Sequence, residues 1–328
     1  MKKRIVTAVL AGMLMTAILA GCGKSADNEQ ANSSLFEQVS ESGSEQSENA
    51  QSEAAPEVEE ESQSDAQSRQ VESGSSLYDD FKAGNAKAKY TGAGDRTAIL
   101  ETSVCLEKGN SYTMDEIISA IEKSTENKKS SDTIYTMIDC GSDGVPELLT
   151  ETSFDPEFTL YMIIKEINGE LVICFDQDAW SRSEVQVEAD GKISSGGSGG
   201  AAVHVMDYAY VDAKGDYKFF YGCEETLTLY GDYYLYDKTD YQVLPVDGLD
   251  VDHIGIRDYY FEADYEQRTH YYEYFMISDN YEDVTTDADY EDSNPVKQKF
   301  SECGVKTYTR DDIEALLNAR AADIGYKR

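Results

Sequence analysis

The residues best suited to do chemistry lie in a short loop between two apolar stretches. Asp139, Asp143 and Glu147 recur at every fourth position, and Gly144 follows the second of them. Carboxylates at this spacing can wrap a hard cation such as Ca²⁺, because glycine permits the tight turn and the carbonyl of Val145 adds an oxygen ligand. The spacing therefore predicts a calcium site formed by Asp139, Asp143, Val145 and Glu147, with water completing the shell. The same acids would also suit a solvated turn that binds no metal, and both interpretations remain open at this stage.

The residues around this loop carry a resemblance to known calcium loops. With Tyr135, Pro146 and Leu148, the stretch resembles the loops of FG-GAP and VCBS-type repeats, and more distantly dockerin and EF-hand loops. It is also similar to a stretch in a group of uncharacterised Gram-positive-type bacterial lipoproteins, and this resemblance implies Ca²⁺ as the cofactor. Two positions depart from the pattern. Gly141 stands where the repeats have a third aspartate, and Thr150 stands where an EF-hand has its final glutamate.

Mostly short strands must position this loop, since apolar residues alternate with polar ones along much of the chain. The expected strands cover residues 133–138, 148–152, 159–167, 171–176, 184–189, 202–211, 217–222 and 226–236. Asn168-Gly169 predicts a hairpin, and residues 196–200 are expected to form a flexible turn. Helices are expected over 77–84, after Thr113 and after Thr309, while 258–292 has no clear assignment. The fold class is predicted as α+β, mainly an antiparallel β-meander with flanking N- and C-terminal helices.

The N-terminus predicts export and a lipid anchor. A basic start is followed by a short apolar run, which is typical of a signal peptide and too short to span a bilayer. Leu19-Ala20-Gly21-Cys22 resembles the lipobox of bacterial lipoproteins, which implies cleavage before Cys22 and acylation of its sulfur. Residues 1–21 are therefore predicted as the signal peptide, 22–76 as the lipidated cysteine and a disordered acidic stalk, and 77–328 as one extracytoplasmic domain. The stalk prediction rests on its Ser- and Glu-rich composition, which cannot bury a core.

The strongly acidic charge of the chain limits the kinds of molecule that it can bind. The chain has 64 acidic residues against 28 basic ones, a net charge of −36. Such a field repels nucleic acid, and no basic stripe offsets it, so a nucleic-acid partner is excluded. Five cysteines remain once Cys22 carries lipid, an odd number that cannot pair completely. They are expected to be buried free thiols, although one or two disulfides would also suit an oxidising compartment.

Two functions follow from these features. Tyrosines cluster between residues 230 and 274 beside acids, which is how many sugar-binding surfaces are built, but tyrosine is also an ordinary strand residue. No catalytic motif occurs, so no catalytic residue is assigned. The leading prediction is a non-enzymatic binding lipoprotein on the outer face of the cell membrane, stabilised by Ca²⁺, with a glycan or a protein as its ligand. The alternative is an extracytoplasmic hydrolase that acts on carbohydrate or cell-wall polymer.

Overall fold

The computed structural model describes residues 76–92, 101–124, 129–155, 158–237 and 240–328. The predicted signal peptide, Cys22 and the stalk up to residue 75 lie outside the described residues. Within them, no helix is long and apolar enough to cross a membrane.

The first of two six-stranded sheets contains the predicted loop. Its strands are β1 (Ala88–Tyr90), β2 (Ser111–Tyr112), β3 (Lys129–Ile138), β4 (Glu147–Asp155), β5 (Phe158–Ile167) and β6 (Glu170–Trp180). Their order is β2-β1-β6-β5-β4-β3, and only the pairing of β1 with β6 is parallel. The predicted hairpin at Asn168-Gly169 is confirmed, because both residues take positive φ angles between β5 and β6.

The second sheet is antiparallel throughout. Its strands are β7 (Ser183–Val187), β8 (Lys192–Ser198), β9 (Val203–Val211), β10 (Tyr217–Thr226), β13 (Ile254–Tyr260) and β14 (Tyr271–Met276), in the order β14-β13-β10-β9-β8-β7. Between β10 and β13 in the chain, β11 (Tyr233–Asp237) and β12 (Asp240–Leu244) form a separate two-stranded hairpin. The expected flexible turn at 196–200 is wrong in part, because Gly196 and Gly197 continue β8 and pair with both neighbouring strands.

Helices cover the sheets on their outer faces. They are α1 (Ser76–Lys82), α2 (Glu101–Cys105), α3 (Met114–Ser124), α4 (Pro295–Glu302) and α5 (Arg310–Ile324). The predicted N-caps are confirmed: Thr113 and Glu116 form reciprocal side-chain-to-backbone hydrogen bonds, and Thr309 and Asp312 form a second capping box. The structure therefore confirms an α+β fold dominated by antiparallel sheets with helices at both ends of the described chain.

Four apolar clusters follow from the alternation along the strands. One face of the first sheet packs on α1 and α3, for example through Phe81, Ile117 and Leu160. Its other face packs on the β7, β8 and β9 side of the second sheet through residues such as Phe175 and Ile193. At the β10, β13 and β14 side, one face of the second sheet packs on α5. The opposite face packs on the β11–β12 hairpin and α4, and this face carries the candidate site.

Candidate functional site

A cavity of about 420 Å³ lies between the second sheet and the β11–β12 hairpin. This volume is within the range of small-molecule sites. We call it the tyrosine cavity, because its lining includes Tyr230, Tyr233, Tyr234, Tyr236, Tyr260 and Tyr265. Its polar lining residues include Glu224, Thr226, Thr228, Asp232, Asp258, Arg268 and His270. Part of the predicted tyrosine cluster therefore faces a concave surface, whereas Tyr272 and Tyr274 are buried in the adjoining core.

Strand register brings the polar floor of the cavity together. Glu224 in β10 lies directly opposite Asp258 in β13, and Gly222 lies opposite Tyr260. In an antiparallel pair, residues opposite each other point to the same face. Asp258 lies opposite Tyr272 in β14, so continuing this register places His270 on the same face, diagonal to Asp258. Residues far apart in the chain thus converge because alternate side chains of three strands share one face.

His270 is held firmly at this floor. Its side chain is only 5% exposed, and its Nδ1 lies 2.7 Å from Oδ2 of Asp258. Its ring stacks between Tyr236 and Tyr272, at centroid distances of 5.6 and 6.0 Å. Since a carboxylate accepts hydrogen bonds, Nδ1–H donates to Asp258, and Nε2 is left without a partner among the described residues. Burial raises the pKa of Asp258, and the nearby His270 and Arg268 partly offset this effect.

Arg268 contributes a guanidinium group that forms no salt bridge within the described part of the chain. It lies 3.6 Å above the ring centroid of Tyr260 and 5.5 Å from that of Tyr265. Tyr260 in turn donates its hydroxyl hydrogen to Oδ1 of Asp207, at 2.9 Å. The ring of Tyr260 fits there only because residue 222 is glycine: a Cβ at that position would lie 2.1 Å from the ring.

Four buried polar atoms of the cavity lack a hydrogen-bond partner among the described residues. They are Oγ1 of Thr228, Oδ1 of Asp258, Nε of Arg268 and Nε2 of His270. Leaving a buried donor or acceptor unpaired costs about 1–3 kcal/mol, so native proteins rarely tolerate several together. Both donors and acceptors occur in the set. The cavity is therefore equipped for a polar ligand, or for water, that can donate and accept hydrogen bonds.

The predicted calcium loop is arranged differently from a metal shell. Both carboxylate oxygens of Asp139 accept from the backbone N–H of Gly144, at 3.0 and 3.1 Å, and Oδ1 of Asp143 accepts from that of Val145 at 2.8 Å. Glu147 is fully buried, where it forms an ion pair with Lys165 and accepts from the N–H of Cys140 at 2.6 Å. The loop acids thus already have partners from the protein.

Steric space explains why glycine occupies the third ligand position. Gly141 has a φ of +77°, and a Cβ there would lie 2.7 Å from the backbone nitrogen of Ala213. An aspartate at this position would be strained by the positive φ angle, and its Cβ would clash with the backbone of Ala213. In the described residues, no group of three or more His, Cys, Asp or Glu side chains is placed to hold a metal ion. The calcium site at Asp139, Asp143, Val145 and Glu147 stays a prediction.

Sequence reasoning did not find Asp258, His270 and Arg268 as a group. The one available signal was the alternation in Asp258-x-Tyr260 and His270-x-Tyr272-x-Tyr274, which suggests two strands with these residues on one face. Their pairing could not be read from that signal. His253, by contrast, lies in an exposed 3₁₀ turn and contacts Asp250 and Asp279, each at 3.0 Å. The five cysteines of the described residues are free, but the predicted burial is correct only for Cys140, Cys174 and Cys223, because Cys105 and Cys303 are partly exposed.

Comparison with models of protein families, with curated proteins and with solved structures gives no match.

Proposed function

We propose that this protein is a membrane-anchored extracytoplasmic binding lipoprotein, and that the tyrosine cavity holds a saccharide ligand. The observation that carries the proposal is the set of four unpaired, buried polar atoms on residues that line a cavity together with several tyrosines. Sugar hydroxyls both donate and accept, so one ligand satisfies Nε of Arg268 as well as Nε2 of His270. The C–H faces of a pyranose pack on rings such as Tyr236 and Tyr265.

The lipid anchor and the extracytoplasmic location form part of the same proposal. Cys22, in the lipobox-like Leu-Ala-Gly-Cys sequence, carries the lipid, and the stalk places the folded domain beyond the membrane surface. A net charge of −36 disfavours acidic ligands and supports a neutral or cationic one.

Calorimetric titration of the full chain with a panel of neutral and charged sugars tests this proposal. Two neighbouring alanines provide a matched pair of variants. Ala202 lines the cavity, whereas Ala201 is exposed and lies outside its lining. Ala202→Trp should fill the cavity and abolish sugar binding, and Ala201→Trp should leave it unchanged. Equal binding by the two variants would show that the sugar binds elsewhere, and the absence of binding to every sugar would refute the proposal.

A second candidate function, glycoside hydrolysis, is favoured by the facing carboxyl groups of Glu224 and Asp258. Retaining glycosidases use two carboxyl groups about 5–5.5 Å apart. Residues directly opposite each other, as Glu224 and Asp258 are, have Cβ atoms about 4.5–5.5 Å apart, so their carboxyl groups can approach to that distance. Desolvation, followed by the charge of Asp258, raises the pKa of Glu224. Burial raises that of Asp258, so either group could act as the acid.

Chromogenic glycosides distinguish hydrolysis from binding. Under the hydrolase hypothesis, turnover occurs in the wild-type chain and is lost in both Glu224→Gln and Asp258→Asn. Turnover that survives in both variants, or no turnover of any bound sugar, rules this hypothesis out and leaves binding as the function.

We also propose that the loop after β3 binds Ca²⁺ weakly. The spacing of the loop acids supports this proposal, and so does the exposure of Asp143 and Val145 at the loop tip. Glu147 forms an ion pair with Lys165. The first ligands of the ion would therefore be the carboxylates of Asp139 and Asp143 and the carbonyl oxygen of Val145. Engagement of Glu147 would require the ion pair to open.

A further inference from the structure

The floor of the tyrosine cavity carries an unbalanced pair of acids. Glu224 and Asp258 lie directly opposite each other on adjacent strands and point to the same face. Like charges in this arrangement destabilise a sheet. Within the described part of the chain, neither carboxylate forms a salt bridge with a lysine or arginine. Asp258 does accept from Nδ1 of His270, but its Oδ1 remains without a partner.

The basic side chains of the lining, Arg268 and His270, offset this imbalance only in part, because the pKa of each acid stays raised. Arg268 stacks on Tyr260 instead of pairing with an acid. A third acid, Asp232, is exposed at the cavity lining, so three carboxylates stand against one guanidinium. Desolvation and the mutual repulsion of the two acids raise the pKa of Glu224, and burial raises that of Asp258. A cation between the two carboxylates would relieve this cost.

Two neighbouring side chains point independently to a ligand inside the cavity. His270 has a side chain that is 95% buried, and its Nε2 has no partner among the described residues. Thr228 is 6% exposed, and its Oγ1 is likewise unpaired. No group of three or more His, Cys, Asp or Glu side chains among the described residues is placed to hold a metal ion. An organic cation with hydrogen-bonding groups of its own would instead pair with Nε2 of His270 and Oγ1 of Thr228 and pack on the tyrosine rings.

We propose that the ligand of the tyrosine cavity bears an ammonium group, as an amino sugar does, and that this group lies between Glu224 and Oδ1 of Asp258. The inference rests on the proposed function, because it names the ligand class of the same cavity. The ammonium donates to the two carboxylates and is further stabilised by the tyrosine rings, whose faces attract cations. Hydroxyl groups of the ligand bond to Nε2 of His270 and Oγ1 of Thr228. The same ammonium chemistry also occurs in aliphatic polyamines.

Calorimetry with matched probes tests the inference. The full chain is titrated at pH 7 with D-glucosamine, with D-glucose and N-acetyl-D-glucosamine as uncharged counterparts, and with putrescine as an ammonium that is not a sugar. D-Glucosamine should bind at least about tenfold more tightly than either uncharged sugar, as expected for a charge-assisted hydrogen bond in a partly desolvated site. Higher salt should reduce this preference, because it screens the attraction.

Two variants locate the ammonium group. Glu224→Gln keeps the shape of the side chain but removes its charge, so it should abolish the preference for D-glucosamine over D-glucose. Glu170→Gln is the matched control: it removes one exposed carboxylate from β6 in the first sheet, and it should preserve the preference.

The possible outcomes separate this inference from the proposed function. Equal affinities for D-glucose and D-glucosamine would overturn the ammonium inference and leave saccharide binding standing. A preference that survives Glu224→Gln would also overturn it, since the charge would lie elsewhere. Tight binding of putrescine with no binding of any sugar would support the ammonium site and overturn the saccharide proposal. No binding of any probe would overturn both.

Discussion

Replacement of Lys165 by methionine should strongly destabilise the domain, because it strands a buried carboxylate. Lys165 is 8% exposed in its side chain, and its partner Glu147 is 0% exposed. Burial raises the pKa of Glu147, and contacts with Lys165 and the N–H of Cys140 partly offset this rise. For Lys165, burial lowers the pKa, but pairing with Glu147 outweighs burial and the pKa lies above its ordinary value. The ammonium is therefore the main group that keeps Glu147 ionised.

The expected loss in the free energy of unfolding is a large part of the stability of a typical domain. Removing one partner of a buried ion pair costs about 3–5 kcal/mol, whereas whole domains are stable by only about 5–15 kcal/mol. Lys218→Met is the matched control, because it breaks an exposed ion pair with Asp216. The side chain of Lys218 is 37% exposed and that of Asp216 is 60% exposed. An exposed pair contributes roughly 0–1 kcal/mol. Glu147→Gln together with Lys165→Met should recover part of the loss, because the glutamine oxygen can still accept from Cys140.

Urea denaturation of the full chain between pH 5 and 8 measures these effects. In Lys165→Met, Glu147 has a folded-state pKa further above its unfolded value of about 4.3. The folded state then binds more protons than the unfolded state, so stability falls as pH rises through this window. The deficit relative to wild type should thus be larger at pH 8 than at pH 5. A loss below about 1 kcal/mol at pH 8, or a deficit independent of pH, would refute the buried pair.

Three further predictions concern the cavity, the anchor and the loop. Gly222→Ala should cost about 1–3 kcal/mol and weaken sugar binding, because the new Cβ would meet the ring of Tyr260, whereas Gly200→Ala, which has no atom within 4 Å of its Cβ, should be nearly neutral by urea denaturation. Cys22→Ser should move the protein from the membrane to the soluble fraction and abolish labelling by radioactive fatty acid; retention of the label would contradict the lipobox assignment. Millimolar Ca²⁺ should raise the melting temperature of the wild-type chain relative to chelator, and the Asp139→Ala and Asp143→Ala variants should lose this shift; identical melting of all three would exclude the loop as a calcium site.

Local signals in the sequence predicted much of the secondary structure. The caps at Thr113 and Thr309 and the turn at Asn168-Gly169 depend on residues adjacent in the chain, so they could be identified without tertiary information. The expected strand over 226–236 was only partly right. β10 ends at Thr226 and β11 begins at Tyr233, because the chain leaves the sheet there to build the wall of the cavity.

The candidate site was harder to predict, because it depends on pairing between distant strands. Glu224 and Asp258 meet only through the register of β10 and β13, and His270 reaches Asp258 from the position just before β14. In a chain rich in acids, no spacing along the sequence marks these residues out. Glu147 illustrates the converse case: its position in the motif suggested a metal ligand, whereas its burial beside Lys165 gives it a structural partner.

Crystals of the chain soaked in D-glucosamine test the central claim most directly. The account predicts density for the sugar in the tyrosine cavity, with a hydroxyl within hydrogen-bond distance of Nε2 of His270 and the ammonium beside Glu224. Density for the sugar at another surface, with only water against His270 and Thr228, would contradict it.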